Sequence, residues 1–143
     1  MKILVVSPKN KTVFNFRGDL IKDMISKGND VYVTGPNKDF VEDIMALGVN
    51  KFIEIPLIKD NTSVLGDFAY FKKLKAVMKE IKPELVFEYT IKPVIYGSIA
   101  AKLCGIKKIY PMVTGLGRVY ASESIKTKAI RLITKVLYKT AFK

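Results

Sequence analysis

A chain of 143 residues, 49% of them hydrophobic, with nine glycines and six prolines, suits one folded domain with a sizeable core and excludes a disordered polypeptide. It has one cysteine, Cys104, and no histidine, which excludes a disulfide framework, a cysteine-built metal centre, His-dependent zinc sites and Ser-His or Cys-His nucleophile pairs. The net charge of +12 lies wholly in the second half: residues 1–71 carry nine Lys/Arg and nine Asp/Glu, residues 72–143 sixteen and four. Lysines on solvated helix faces explain part of such a bias, and an anionic partner explains its one-sidedness: nucleic acid, a membrane surface or a phosphate-bearing substrate.

In chain order, "KILVVS" (2–7) reads as a short buried strand. The apolar run is too short for a signal peptide, and no cleavage pattern follows it. "GDLIKDMISKG" places Leu20, Ile21, Met24 and Ile25 on one helical face, and Gly28 stops it. "DVYVTGP" is a second strand ending in a Gly-Pro turn. "KDFVEDIMALG" repeats the helical pattern with Phe40, Val41, Ile44 and Leu47, and "KFIEIPL" is a third strand. After the polar connection "IKDNTSVLG", the segment "DFAYFKKLKAVMKEIKP" spaces Phe71, Leu74, Met78 and Ile81 as a helix, with Asp67 as its N-cap and Pro83 at its end. "ELVFEYT" is a fourth strand, and "KPVIYGSIAAKLCG" a helix with Pro93 in its first turn. "KKIYPMVTG" is a fifth strand, in which Pro111 argues for an edge position or a distortion. "SESIKTKAIRLITKVLYKTAFK" is a last helix. The longest apolar stretch, 93–113, is interrupted by Lys102, Lys107 and Lys108, so no transmembrane helix is expected.

Strict alternation of apolar strands with amphipathic helices predicts an α/β fold, a doubly wound parallel sheet flanked by helices. Ligands of such sheets bind at the carboxyl ends of strands, where the strand order reverses. Three loops therefore matter: "SPKNKTVFNFRG", "YTIKP" and "VTGLGR". The first has one glycine, Gly18, and lacks a dinucleotide fingerprint. It places Asn15, Phe16 and Arg17 at the start of a helix, where a cation opposes the dipole and hints at a site. In "YTIKP", Tyr89 and Thr90 end a strand, and Lys92 adds charge at a helix N-terminus. That is either a plain cap or an anion site. In "VTGLGR", Gly115 and Gly117 serve either a tight turn or a backbone cradle for phosphate or sugar, flanked by Thr114 and Arg118.

"DFAYFKKLKAVMK" mixes Phe68, Tyr70 and Phe71 with Lys72, Lys73, Lys75 and Lys79, which suits either an interfacial helix or a core helix with solvated lysines. Along the last helix, Lys128, Arg131, Lys135 and Lys139 recur on one face, for an anionic membrane or another domain.

Together "NFRGDLIKDMISKGNDV", "YTIKPVIYGSIAAKLCGI" and "VTGLG" resemble the N-terminal half of family 4 glycosyltransferases with the GT-B fold, the closest group being those that build bacterial capsules, exopolysaccharides and O-antigens on lipid carriers. The resemblance spans nearly the whole chain. It implies a Rossmann-like acceptor-side domain over residues 1–143, one half of a GT-B architecture. Its missing donor-binding half is expected to hold the nucleotide sugar, and transfer is expected to be retaining. The chain alone is then inactive, as a fragment or as one subunit of a split enzyme, and its catalytic residues are unassigned. The acceptor-binding residues it implies are Asn15, Arg17, Gly18, Tyr89, Thr90, Lys92, Thr114, Gly115 and Gly117. Contact with an anionic membrane is assigned to Phe68, Tyr70, Phe71, Lys72, Lys73, Lys75 and Arg118. No metal or cofactor is expected. The acceptor is lipid-linked or a polysaccharide, and the location cytoplasmic, peripheral on the inner face of the plasma membrane. The alternative is a basic, non-enzymatic α/β domain that binds nucleic acid or another anion, against which no RRM, KH or helix-turn-helix signature is present.

Overall fold

The computed structural model describes residues 1–57 and 64–113, together with Lys135 and Lys139, which are helical and exposed. Ten elements follow in order: β1 (Lys2–Val6), α1 (Asn10–Phe16), α2 (Gly18–Ser26), β2 (Asp30–Gly35), α3 (Val41–Met45), β3 (Lys51–Glu54), α4 (Val64–Ile81), β4 (Leu85–Tyr89), α5 (Ile91–Leu103) and β5 (Lys108–Met112). The five strands form one parallel sheet in the order β3-β2-β1-β4-β5. β1 is central because it is apolar on both faces: Ile3 to Val6 are all buried.

Strand side chains alternate between two layers. Leu4, Val6 and Val86 face α4 and α5, packing on Tyr70, Leu74, Met78, Ala100 and Ala101. Ile3, Val5, Val31, Val33 and Tyr89 face α1, α2 and α3, packing on Val13, Ile21 and Ile44. Each fully buried aliphatic side chain contributes about 1.5–3 kcal/mol, so each layer holds its helices without help from surface charge. Among the described residues β5 is an edge strand, one of the two readings that Pro111 allowed, since an edge tolerates a missing backbone donor.

Three elements differ from the expectation. Residues 10–16, read as loop, form α1, whose seven residues are too few to show a helical period. The helix expected over 38–48 is only α3, because Asn10 Nδ2 donates to the carbonyls of Asn37 (2.9 Å) and Asp39 (2.6 Å) and holds that stretch as a loop. Phe40 stands before α3 with φ 59°, a left-handed conformation that is costly for a bulky residue. α4 begins at Val64, so Asp67 lies within its first turn and is not its N-cap.

Candidate functional site at the strand carboxyl ends

The strand order reverses between β1 and β4, so a crevice is expected where Ser7 and Tyr89 emerge. β4 ends in Tyr89, whose ring is buried among the α1–α3 layer. Thr12 on α1 donates its only proton to the Lys9 carbonyl at 2.6 Å, so the Tyr89 hydroxyl, 2.8 Å away, donates to Thr12. Burial pushes the Tyr89 phenol above its usual pKa, against the hydrogen bonds of Ser7 and Thr12 and the charge of Arg17. This phenol is therefore a fixed hydrogen-bonding group, not a proton shuttle near neutrality.

Arg17 lies over this ring, its guanidinium carbon 4.6 Å from the centroid. It ends α1 and opens α2. Its charge thus sits at a helix C-terminus, which the dipole favours, as well as at an N-terminus. The expected conflict with the dipole is thereby relieved. Its other contacts are weak: Nη1 to the Phe16 carbonyl and Nη2 to Met112 Sδ, each at 3.3 Å. Nε is enclosed without a partner, and no carboxylate among the described residues pairs with Arg17. A guanidinium carries five donors in a fork that fits phosphate.

Thr90 turns the chain from β4 into α5 with φ 69° and ψ 170°. Such a conformation costs about 1–3 kcal/mol in a non-glycine residue and is concentrated at functional corners. Among the described residues no side chain caps α5, and no acid lies in its first turn. Lys92, expected to face an anion there, instead has its ammonium 2.8 Å from Asp67 Oδ1, both side chains being largely covered. The Tyr96 hydroxyl donates to the other oxygen of Asp67 at 2.9 Å. Burial first, and then this bond to Asp67, push the Tyr96 phenol up. Lys92 thus ties α5 to α4 beside the corner.

Of the other expected acceptor contacts, Asn15 is exposed on α1. Gly18 is buried at the start of α2, and a Cβ there would make only ordinary van der Waals contact with Leu47, at 3.5 Å. Thr114, Gly115, Gly117 and Arg118, as well as Lys128 and Arg131, lie outside the described residues.

The helix assigned to a membrane surface divides sharply. Phe68 is 57% exposed and Lys72 Nζ lies 5.5 Å from its ring, with Lys73 exposed next along the helix. Leu65, 82% exposed, extends that face and was hidden in what reads as a polar connection. Tyr70 does not belong to it: at 2% exposure it is core, because α4 turns that position onto the sheet. Phe71 is half-buried against the same core, and Lys75 half-buried beside it.

Residues 2–143 match the glycosyl transferase 4-like family. The chain belongs to that family. It is 27% identical, over its whole length and 38% of the relative, to the Campylobacter jejuni N,N'-diacetylbacillosaminyl-diphospho-undecaprenol alpha-1,3-N-acetylgalactosaminyltransferase. It is 31% identical, over 73% of the chain and 24% of the relative, to an Escherichia coli UDP-Gal:alpha-D-GlcNAc-diphosphoundecaprenol alpha-1,3-galactosyltransferase. The chain therefore spans well under half of either relative. Its fold is similar to that of the Neisseria meningitidis UDP-GlcNAc 2-epimerase (TM-score 0.63, 18% identity, 96% of this chain and 38% of that one). It is also similar to that of Acinetobacter baumannii MurG (TM-score 0.57, 16% identity, 78% and 34%). Among the described residues no helix is long and apolar enough to cross a membrane.

Proposed function

We propose that the chain is the acceptor-side domain of a retaining glycosyltransferase that moves a sugar from a nucleotide sugar to a lipid-linked or polysaccharide acceptor at the cytoplasmic face of the membrane. Both relatives named above carry diphospho-undecaprenol-linked sugars in their names, which supports a lipid-diphosphate acceptor. The observation that carries the reading is Arg17: a half-buried cation over Tyr89 at the carboxyl end of β4, with no acid to neutralise it among the described residues. An acceptor phosphate supplies the missing charge.

The nucleotide sugar is held by a further domain or partner chain, and the chain alone does not turn over, since transfer in a cleft needs groups from both walls. The length of the relatives supports this division. Leu65, Phe68, Lys72 and Lys73 rest on the anionic bilayer, beside the end of α4 that Asp67 ties to α5. That contact is reversible, each lysine contributing about 1 kcal/mol.

The test is a calorimetric titration with a short-chain polyprenyl-diphosphate N-acetylhexosamine, alongside a titration with single-stranded RNA. Saturable binding of the lipid-linked sugar with salt-sensitive, weaker RNA binding supports the reading. Tight RNA binding with no response to the lipid-linked sugar overturns it.

A further inference from the structure

One buried acid is not used by this reading. Glu88, next to Tyr89 on β4, points to the opposite layer and is 0% exposed. One carboxyl oxygen accepts a hydrogen bond from the Ser98 hydroxyl on α5. The other, Oε2, is enclosed without a partner and lies against Gly97, where a Cβ would overlap it. An acid is costly to enclose and a glycine is costly in mid-helix, so their coincidence at one contact is a fitted pair.

We propose that Glu88 is a positioning residue for the acceptor corner: its carboxyl, wedged against Gly97 and bonded to Ser98, sets the distance of α5 from β4 and thereby the placement of Tyr89, Thr90 and the start of α5. The inference rests on the acceptor reading above. The mechanical link is short. Glu88 is two residues before Thr90, and the Val94 amide donates to the Thr90 carbonyl at 3.0 Å, so a shift of α5 is transmitted directly to the strained turn.

The clamp requires a neutral carboxyl. Burial raises Glu88 to about 8, opposed by the Ser98 hydrogen bond. Around it, α4 presents Tyr70, raised by its own burial and by the Glu88 charge, and α5 presents Ser98, with Tyr96 edge-on to Tyr70. The Asp67–Lys92 pair lies one turn further along the same two helices. The strand neighbours in register, Val6 and Pro111, carry no charge. No described cation compensates an ionised Glu88, so ionisation pushes α5 outward.

The experiment is the affinity for the short-chain polyprenyl-diphosphate N-acetylhexosamine between about pH 6 and pH 9, with circular dichroism as a check on folding. Ser98→Ala, which removes only the hydroxyl, is expected to weaken binding about tenfold, the worth of one hydrogen bond. Glu88→Ala is expected to weaken it at least as much. Wild-type affinity is expected to fall severalfold above about pH 8, and Glu88→Gln to bind within about twofold of wild type at neutrality with a flat profile. Wild-type affinity in both Ser98→Ala and Glu88→Ala overturns the inference, as does a Glu88→Gln profile that still falls with pH. If the wild-type chain does not bind the probe, the acceptor reading fails instead. The clamp is then judged by hydrogen exchange at the Val94 amide, where unchanged protection in Ser98→Ala overturns it.

Discussion

Glu88 and Tyr89 are consecutive residues on one strand, both buried and both polar, yet they do opposite things. Glu88 faces the α4–α5 layer, where one hydroxyl answers it and the surroundings are apolar. Tyr89 faces α1, where Thr12 accepts its proton and Arg17 covers its ring. The period of two in a strand places one group in a dry interior and its neighbour beneath Arg17 at the carboxyl end of the sheet. The difference teaches that polarity at a strand end does not by itself mark a ligand contact. The face does.

The largest effect that would sharpen this contrast is on stability against pH. Glu88 has a folded pKa above its ordinary value of 4.5, at about 8. The unfolded chain therefore releases the proton first, and stability falls as pH rises from about 4.5 to about 8, on the order of 5 kcal/mol in all. Glu88→Gln removes that fall and is the more stable protein at neutral pH. Denaturant unfolding at a series of pH values reads it, and parallel curves for the two proteins would break the account of the dry face.

Next comes Gly97→Ala. Its methyl overlaps the Glu88 carboxyl, so it should cost about 2–3 kcal/mol. Glu88→Ala in the same chain should recover part of that loss, giving non-additive energies in a double-mutant cycle. Simple addition would mean that the two do not touch. On the other side of the strand, Tyr89→Phe removes the hydroxyl's hydrogen bonds with Thr12 and Ser7 and leaves Thr12 its bond to Lys9, so about 1–2 kcal/mol is expected by thermal melting. Smallest for stability is the outer face of α4: Lys72→Glu with Lys73→Glu should shift stability by less than about 0.5 kcal/mol. The same variant should lose sedimentation with anionic vesicles at low salt, and retained sedimentation would move the membrane contact elsewhere.

The sequence shows the strands well, because each is a short apolar run bounded by Gly, Pro or charge, and of the two readings that Pro111 left open for β5, edge or distortion, the described sheet has the edge. Arg17 is legible as a residue at odds with its surroundings, although the helix that it ends is not. What cannot be read is pairing across elements. Lys92 appears as a charge at a helix start, and only the fold brings Asp67, 25 residues away, against it. Tyr70 is aromatic among lysines, and only its angle on α4 separates it from Phe68. Glu88 sits within "ELVFEYT" flanked by Phe87 and Tyr89, an acid inside an apolar run rather than at its start like Glu84, and that signal gains meaning once Gly97 and Ser98 are seen opposite.

We propose above that Arg17, at the carboxyl ends of β1 and β4, binds an acceptor phosphate. Its most direct test is the affinity of Arg17→Ala and of Lys102→Ala, an exposed lysine on the far turn of α5, for the short-chain polyprenyl-diphosphate N-acetylhexosamine. The account predicts a loss of about 10- to 100-fold for Arg17→Ala, the worth of a charged hydrogen bond, and almost none for Lys102→Ala. Equal affinities for Arg17→Ala and the wild-type chain would contradict it.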